Sequence, residues 1–162
     1  MPRIEVSHDV PVDTATAFAV SQTHGQVRLQ WDPFIRRQHL VGADTPAKGV
    51  QTRTVSRHGL KMLTEYVSFR SPTQVGMKIL EGPWFFANFA AGWTFVPVDP
   101  DDPTAGTHAT WRYTFTTRPA WLSPVADRIG TWLLRRDIEA RIAAYAGACT
   151  NPAVLAAIDD GL

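Results

Sequence analysis

The sequence is poor in features that would cross-link the chain or anchor it in a membrane. Cys149 is the single cysteine among 162 residues, so no internal disulfide can form, and this usage is typical of a reducing compartment. No apolar run approaches the length of a transmembrane helix. The first residues, MPRIEVSHDVPVD, lack the apolar core of a signal peptide. We therefore expect a cytoplasmic protein with no stable membrane insertion.

An excess of charge of one sign is also lacking. Sixteen lysines and arginines stand against fifteen aspartates and glutamates, and no long run of either sign suggests a nucleic-acid footprint. The five histidines lack metal-ligand spacing, whereas a zinc site needs three or four converging ligands. Motifs for nucleotide binding, dinucleotide binding and serine hydrolysis are missing as well. We expect no metal, no cofactor and no nucleic-acid partner.

The chain does contain a series of segments in which apolar and polar residues alternate with a period of two. Hydrophobic residues make up 44% of the chain and charged residues 19%, which suits a folded core in one domain of this length. In residues 109–117, ATWRYTFTT, the aromatic side chains of Trp111, Tyr113 and Phe115 share one parity. Similar segments recur between close turns from residue 35 onwards and favour an antiparallel meander.

The predicted order of elements is a strand, two short helices, six strands and one long helix. Asp13 precedes the first helix as a candidate N-cap. Ser123 and Pro124 offer a capping hydroxyl and a proline at the first helical position. The long helix is therefore expected to begin there and to run for about 24 residues. Residues 1–148 are interpreted as a single domain and residues 149–162 as a C-terminal tail.

The long helix carries two apolar stripes on nearly opposite sides. The first consists of Trp121, Val125, Ile129 and Trp132, and the second of Leu134, Ile138, Ile142 and Tyr145. One face of a helix cannot bury both stripes. We expect the first half of the helix to cover the mouth of a pocket and the second half to hold the sheet. A dimer contact or a membrane-surface contact through whichever stripe is left over is the alternative.

The last two strands are rich in aromatic rings with small residues between them. A packed core is the ordinary environment of any single ring. Rings interleaved with Ala87, Ala90, Ala91 and Gly92 leave volume unfilled on a curved sheet, however, whereas a dense core would use branched aliphatic residues. We therefore favour a pocket over a solid core. The rings are Trp84, Phe85, Phe86, Phe89, Trp93, Phe95, Trp111, Tyr113 and Phe115.

Several of these features together resemble one superfamily. They are Asp13 ahead of the first helix, WDPF at 31–34, GWTFVPV at 92–98, GTHATWRYTF at 106–115 and the terminal long helix. Over residues 3–147 the chain resembles the START-like, or SRPBCC, superfamily, and within it the polyketide cyclase/dehydrase and lipid-transport group. The resemblance implies an α+β helix-grip (START/Bet v 1-like) fold. In this fold a curved seven-stranded antiparallel sheet wraps around a long C-terminal helix, with a deep apolar cavity between them.

Proteins with this fold have several functions, and the fold alone does not choose among them. The resemblance implies that the chain binds a hydrophobic small molecule, such as a lipid, isoprenoid or polyketide-like compound, as a carrier or sensor. One alternative is an enzyme, a polyketide cyclase/aromatase or dehydratase that transfers protons inside the cavity. Another is a protein-interaction module that uses the C-terminal helix, with a homodimer as one form of it.

The candidate catalytic residues are Glu65 and Tyr113. Glu65 shares a strand parity with the apolar Leu63 and Val67; if that face is inward, Glu65 is a buried carboxylate that could act as an acid or base. The alternative is that the opposite parity, which includes Tyr66, faces inward. The expected ligand-binding residues are Trp31, Glu65, Tyr66, Met77, Phe86, Phe89, Trp93, Trp111, Tyr113, Ile129 and Trp132.

Overall fold

Short apolar-polar segments at the start and middle of the chain become strands, and the long periodic segment near its end becomes a helix. A computed structural model describes residues 1–160 of the chain. Its helices and strands, in chain order, are β1 (Arg3–Val10), α1 (Thr14–Ser21), α2 (Gly25–Leu29), β2 (Ile35–Val41), β3 (Gln51–Ser56), β4 (Lys61–Arg70), β5 (Gln74–Glu81), β6 (Phe86–Pro97), β7 (Thr107–Thr117), α3 (Ser123–Ala148) and α4 (Pro152–Asp159).

The strands form one antiparallel seven-stranded sheet in the order β1-β7-β6-β5-β4-β3-β2. From β2 to β7 each strand pairs with the next one along the chain, and β1 pairs with β7. The sheet curves around α3, which contacts β1 and β7. The predicted α+β helix-grip fold is therefore confirmed.

The two predicted helix starts differ in outcome. Asp13 caps α1 as predicted, because its Oδ1 accepts a hydrogen bond from the backbone N–H of Thr16 at 2.7 Å. Ser123 does not cap α3. A turn of 3-10 helix (Ala120–Leu122) runs directly into α3, so the backbone of Ser123 is already helical. The Ser123 hydroxyl instead donates to the carbonyl oxygen of Thr117 at 3.2 Å, which ties the start of α3 to the end of β7.

The face of β7 that carries the aromatic residues points to the interior. Trp111, Tyr113 and Phe115 are no more than 3% exposed. Trp111 lies directly opposite Trp93 in the β6–β7 ladder, and the two rings stack with their centroids 4.2 Å apart. Such pairs stabilise a sheet through both burial and ring-ring contact. The inner face of β6 and β7 is therefore a stacked aromatic layer.

The second apolar stripe of α3 holds the sheet, as predicted. Ile138, Ile142 and Tyr145 are buried, and the Tyr145 hydroxyl donates to the carbonyl oxygen of Ala17 in α1 at 2.8 Å. The first stripe is largely exposed, with Trp121 80% accessible. Within residues 1–160, neither α3 nor any other helix is long and apolar enough to cross a membrane.

The segment expected to be a C-terminal tail forms a helix instead. Asn151 caps α4 by accepting a hydrogen bond from the N–H of Ala153 at 3.0 Å, and proline occupies the first helical turn. Val154 is fully buried, and Leu155 and Ile158 pack against the core. The spacing of these three apolar residues explains why the segment docks rather than extends into solvent. The last part of the expected tail, residues 161 and 162, lies outside the described residues.

Candidate functional site

A cavity of about 650 Å³ lies between the sheet and α3. Small-molecule sites in proteins commonly have volumes of about 300 to 1,000 Å³. Strands β2 to β7, the connection between α1 and α2, and α3 all contribute to its wall. Trp84, Val125 and Ile129 belong to this wall and are nevertheless 74%, 57% and 55% exposed. These residues therefore mark the mouth of the cavity.

Most of the wall is apolar and is built by alternate residues of the strands. On β6, Phe89, Ala91 and Trp93 face the cavity. Gly92 lets β5 approach closely, since a Cβ at this position would lie 3.2 Å from the carbonyl oxygen of Val75. Small residues between the rings thus leave the space that the cavity occupies. Other apolar wall residues include Met77, Phe86, Trp111, Leu133 and Leu134.

Behind this wall lies a buried ion-pair cluster centred on Asp32. Its carboxylate is fully buried and binds two guanidinium groups. Arg141 donates from Nε to Oδ1 at 3.0 Å and from Nη2 to Oδ2 at 2.7 Å, and Arg28 donates from Nε to Oδ2 at 2.8 Å. Burial opposes ionisation of the carboxylate, but the two arginines outweigh it and hold the pKa of Asp32 well below its ordinary value. The carboxylate is therefore charged at neutral pH.

The cluster extends from Asp32 to the cavity surface through Arg141. Its Nη1 donates to the Tyr113 hydroxyl at 2.6 Å, and its guanidinium lies 4.5 Å from the ring centre of Trp111. Arg28 similarly lies 4.3 Å from the ring centre of Trp31. Contacts of this kind stabilise a buried cation. Arg28, Arg141 and Tyr113 all belong to the cavity wall, so paired cations and a hydroxyl border the space available to a ligand.

Asp137 adds a carboxylate to the same part of the wall. Burial raises its pKa, and Arg141, whose Nη1 is 3.9 Å from Asp137 Oδ2, opposes that shift. Burial also raises the pKa of Tyr113, so its hydroxyl keeps its proton. Within residues 1–160, no group of histidine, cysteine, aspartate and glutamate side chains is placed to hold a metal ion. The Asp137 carboxyl group and the Tyr113 hydroxyl can each form hydrogen bonds.

A second polar region lies where β2 and β3 meet the α1–α2 connection. His24, Gln38 and Thr52 belong to the cavity wall here. The Nδ1 of His24, the Oε1 of Gln38 and the Oγ1 of Thr52 are buried and have no hydrogen-bond partner among residues 1–160. Tyr66 also lines the cavity, and burial raises its pKa to about 12. Unsatisfied groups of this kind are rare in protein interiors.

The structure brings most of the predicted ligand-binding residues to one cavity. Those found in its wall are Tyr66, Met77, Phe86, Phe89, Trp93, Trp111, Tyr113 and Ile129. Trp31, Glu65 and Trp132 are not part of the wall. Ligand contact by any of these residues stays a prediction, but the expectation that those three face the cavity is wrong.

Glu65 lies on the other face of β4. Met62, Thr64 and Tyr66 are the β4 residues that face the cavity. The alternative considered from the sequence, in which the face containing Tyr66 points inward, is therefore the one found. Glu65 lies beside Gln51 and Lys78 of the neighbouring strands. It is no longer a candidate for acid-base chemistry in the cavity.

The two tryptophans outside the wall have different environments. Trp31 is buried behind the wall, where its Nε1 donates to Thr23 Oγ1 at 2.9 Å and its ring contacts Tyr145. Trp132 is 61% exposed and lies beside Arg136, whose guanidinium is 6.0 Å from its ring centre. Trp31 therefore supports the wall, and Trp132 belongs to the outer surface of α3.

Sequence patterns alone do not predict the ion-pair cluster. They place Asp32 at a helix end and Arg141 one helical turn from Asp137 on the surface of the long helix. One signal was present: Arg141 falls on the same side of α3 as Ile138, Ile142 and Tyr145, which are buried. A basic residue within a buried stripe requires an acidic partner inside the protein.

The fold and the cavity between the sheet and α3 together define a START-like protein. The chain belongs to the polyketide cyclase/dehydrase and lipid transport family, whose model matches residues 1–149. Both findings fit a protein that binds a hydrophobic ligand. No curated protein sequence matches the chain.

Solved structures show the same fold at low sequence identity. A START superfamily protein from Mycobacterium smegmatis superimposes with a TM-score of 0.71 at 15% identity, covering 90% of this chain and 94% of that one. TTHA0849 from Thermus thermophilus gives a TM-score of 0.74 at 14% identity, with 96% and 99% covered. Ara h 8.0201 gives 0.69 at 14% identity, with 91% and 97% covered. These likenesses establish the architecture of the chain.

Proposed function

We propose that the protein encloses a hydrophobic small molecule, a lipid, isoprenoid or polyketide-like compound, and serves as its carrier or sensor. The observation that carries this proposal is the open cavity of about 650 Å³, which is apolar along most of its wall. Apolar burial contributes about 25 cal/mol for each Å² removed from water. An apolar guest would therefore be held mainly by the aromatic wall and oriented by the few polar groups.

Titration with the apolar dye Nile red tests the proposal. Ala91→Phe places a ring in the cavity, whereas Ala90→Phe adds the same ring to β6 at a position outside the cavity wall. We expect the wild type and Ala90→Phe to bind the dye equally well. Ala91→Phe should bind it about fivefold or more weakly, since overfilling costs about 1 kcal/mol or more. Absence of dye binding by the wild type, or wild-type affinity in Ala91→Phe, contradicts the proposal.

Native mass spectrometry of the protein purified from its own source would identify the guest. An intact apolar compound that Ala91→Phe fails to retain supports a carrier or sensor. If the wild type and Ala91→Phe retain the same compound in equal amounts, that compound lies outside the cavity.

We propose proton-transfer catalysis, of the cyclase/aromatase or dehydratase type, as a second candidate. It is supported by the proximity of Tyr113, Asp137 and Arg141 in the cavity wall. A carboxyl group with a raised pKa next to a protonated phenol can exchange a proton with an acidic carbon of a β-diketone.

Deuterium exchange at C2 of 1-phenylbutane-1,3-dione, followed by NMR, tests this second candidate. We expect the wild type to accelerate exchange over buffer and Asp137→Asn to lose most of the acceleration. Asp127→Asn, a substitution of another α3 carboxylate outside the cavity wall, is the control. Equal rates in the wild type and Asp137→Asn would remove the candidate.

A cytoplasmic location, the lack of a nucleic-acid partner and a homodimer stay predictions. The low cysteine content supports a cytoplasmic location, and the balanced charge supports the lack of a nucleic-acid partner. Fractionation of the source cells, a nucleic-acid shift assay and light scattering after gel filtration test the three in turn.

A further inference from the structure

The polar end of the cavity contains hydrogen-bonding groups without partners. His24 Nδ1, Gln38 Oε1 and Thr52 Oγ1 are buried and unpaired within residues 1–160, and all three side chains belong to the cavity wall. Leaving buried polar groups unsatisfied lowers stability, so proteins pair nearly all of them. Three such groups in one wall indicate a site that a ligand completes.

The three residues lie on neighbouring segments of the chain. Gln38 is directly opposite Thr54 in the β2–β3 ladder, and Thr52 lies two residues from Thr54 on the same face of β3. His24 is next to Gly25, where a Cβ would be 3.9 Å from the carbonyl oxygen of Gln38. Gln38 Nε2 donates to Thr54 Oγ1 at 3.4 Å, which leaves Gln38 Oε1 as the unpaired end of the amide.

The unpaired groups are uncharged polar atoms, whereas the nearby charges already have partners. Arg28 and Arg141 both bind Asp32, and Asp137 lies beside Arg141. A ligand anion would find no uncompensated cation among these charges. An amide oxygen accepts a hydrogen bond, while a threonine hydroxyl and an imidazole can each donate or accept one. A group that both donates and accepts fits this set best.

We propose that His24, Gln38 and Thr52 form a subsite for an uncharged hydroxyl group on an otherwise apolar ligand. The ligand O–H donates to Gln38 Oε1, and the ligand oxygen accepts from Thr52 or His24. The ligand class is then a long-chain or polycyclic alcohol, whose apolar body fills the aromatic part of the cavity. This inference rests on the proposed function.

Displacement of Nile red by three twelve-carbon compounds tests the subsite. The compounds are 1-dodecanol, its methyl ether, which can only accept, and dodecanoate, which is charged. We expect 1-dodecanol to displace the dye at about a fivefold lower concentration than either of the others, as one additional hydrogen bond predicts. An ether or a carboxylate that displaces the dye as well as the alcohol overturns the subsite. Failure of the dye and all three compounds to bind would instead overturn the proposed function.

Substitutions of Gln38 and Thr52 test whether these residues cause the preference for the alcohol over the ether. In Gln38→Leu, which removes the acceptor of the ligand O–H, we expect the affinity for 1-dodecanol to fall to that for the ether, about fivefold, while the affinity for the ether stays unchanged. The unchanged ether affinity shows that this variant is folded and keeps its cavity. Thr52→Val removes a donor that the alcohol and the ether share, so it should weaken the binding of both and leave their ratio unchanged. Thr114→Val, on β7 outside the cavity wall, should leave both affinities unchanged. A preference for the alcohol that survives in Gln38→Leu overturns the assignment.

A separate observation concerns the outer surface at the cavity mouth. We call it the rim surface and define it by six apolar residues that are between 52% and 80% exposed: Trp84, Trp121, Val125, Ile129, Trp132 and Leu133. Its α3 members share one side of the helix. Gly130, on the opposite side, packs toward the sheet, since a Cβ there would be 3.1 Å from the Phe115 ring. Exposed apolar patches of this kind mark interaction sites.

The charges around the rim surface are mostly basic. Arg128, Arg135 and Arg136 are exposed on α3, and Glu139, one turn after Arg135, is exposed as well. The other two acidic residues near them point elsewhere: Asp127 accepts a hydrogen bond from Thr117 Oγ1 at 2.6 Å, and Asp137 belongs to the cavity wall. The net charge of these exposed α3 residues is positive. Tryptophan and arginine on one helix face suit the interface of an anionic bilayer. The same arginines would repel each other across a twofold dimer contact.

We propose that the rim surface docks on an anionic lipid bilayer, which places the cavity mouth against the membrane. Co-sedimentation with vesicles of phosphatidylcholine, with and without phosphatidylglycerol, tests this. We expect binding that needs the anionic lipid, weakens in about 0.5 M salt, and falls about tenfold in Trp121→Ser/Trp132→Ser. Val96→Ser, which alters an exposed apolar residue of β6, is the control.

Two results would overturn docking. One is sedimentation that does not depend on phosphatidylglycerol, whether the protein binds both kinds of vesicle equally or binds neither. The other is a dimer in light scattering that Trp121→Ser/Trp132→Ser dissociates, which assigns the rim surface to self-association, the predicted homodimer.

Discussion

At the scale of single residues, Asp32 joins parts of the chain that are far apart in sequence. Its Oδ1 accepts from the backbone N–H of Phe34 at 3.1 Å as well as from Arg141, and its Oδ2 accepts from both arginines. Every oxygen lone pair is thereby engaged in a site from which solvent is excluded. Removing the charge would leave two buried cations without compensation, which is the costly way to break a buried ion pair.

Asp32→Asn should therefore lower the free energy of unfolding by about 3 to 5 kcal/mol, measured by urea denaturation. Glu5→Gln, which alters an exposed ion pair with Arg112, should change it by about 0.5 kcal/mol or less. Similar losses in the two variants would contradict the central role of Asp32.

Replacing Thr52, whose hydroxyl is unpaired within residues 1–160, should raise the free energy of unfolding, whereas replacing Asp32 should lower it. Thr52→Val removes a buried polar group that has no partner among residues 1–160, so the free energy of unfolding should rise by about 1 kcal/mol. Thr54→Val removes the acceptor of Gln38 Nε2 and should give no such gain. A loss of stability in Thr52→Val would show that its hydroxyl is paired inside the protein after all.

At the scale of elements, α3 is divided into two halves with different tasks. In its second half Ile138, Ile142 and Tyr145 are buried, whereas Val125 and Ile129 in its first half lie at the open mouth. The same helix therefore stabilises the fold with one half and borders the ligand entrance with the other. Regions with few buried contacts open locally more easily than the rest of a protein.

Two alanine substitutions should separate these halves. Ile138→Ala should lower the free energy of unfolding by about 2 to 5 kcal/mol, because it leaves a cavity in the core. Ile129→Ala should lower it by about 0.5 kcal/mol or less, since the side chain is exposed. Urea denaturation measures both, and hydrogen exchange should be faster in residues 123–133 than in residues 138–148. Equal protection of the two segments would argue against the division.

At the scale of the whole molecule, the ion-pair cluster connects the segment after α2 to α3 beside the cavity. The pKa of Asp32 is lower in the folded protein than in the unfolded chain, because the arginines stabilise its charged form. The unfolded state therefore binds the proton more readily in acid. The contribution of Asp32 to stability is complete above the unfolded pKa and is lost as the pH falls through the folded pKa.

Acid should consequently weaken the wild type more steeply than the variant without this carboxylate. Below about pH 4, near the unfolded pKa of an aspartate, the free energy of unfolding of the wild type should fall faster with decreasing pH than that of Asp32→Asn. Urea denaturation between pH 2 and pH 7 checks this. Parallel pH profiles would mean that other carboxylates dominate acid unfolding.

Much of the architecture was predictable because it depends on local periodicity. The alternation around Trp111 gave a strand, Asp13 gave a helix start, and the spacing of Ile138, Ile142 and Tyr145 gave a buried helix face. Each depends on residues close in sequence, whose relative positions follow from the geometry of one helix or strand. Ser123 was the exception, because a preceding 3-10 turn moved the helix boundary.

The cavity wall could be predicted only in part. A strand pattern separates two faces but does not say which one is inward, and β4 illustrates this: Tyr66 faces the cavity and Glu65 does not. An irregularity between Tyr66 and Ser68 also changes the register with β5. Phe69 then packs against Phe18 inside the protein, which no simple alternation along β4 would give.

The sequence by itself determined the elements, their order and the apolar character of the interior, since these follow from composition and short-range spacing. Only the tertiary structure decided that Arg141 meets Asp32 across 109 positions of the chain, and that His24, Gln38 and Thr52 share one wall. Those contacts depend on how the sheet curves around α3. The role of a buried charge or an unpaired hydroxyl depends on which groups lie near it, and the chain brings those groups together only when it folds.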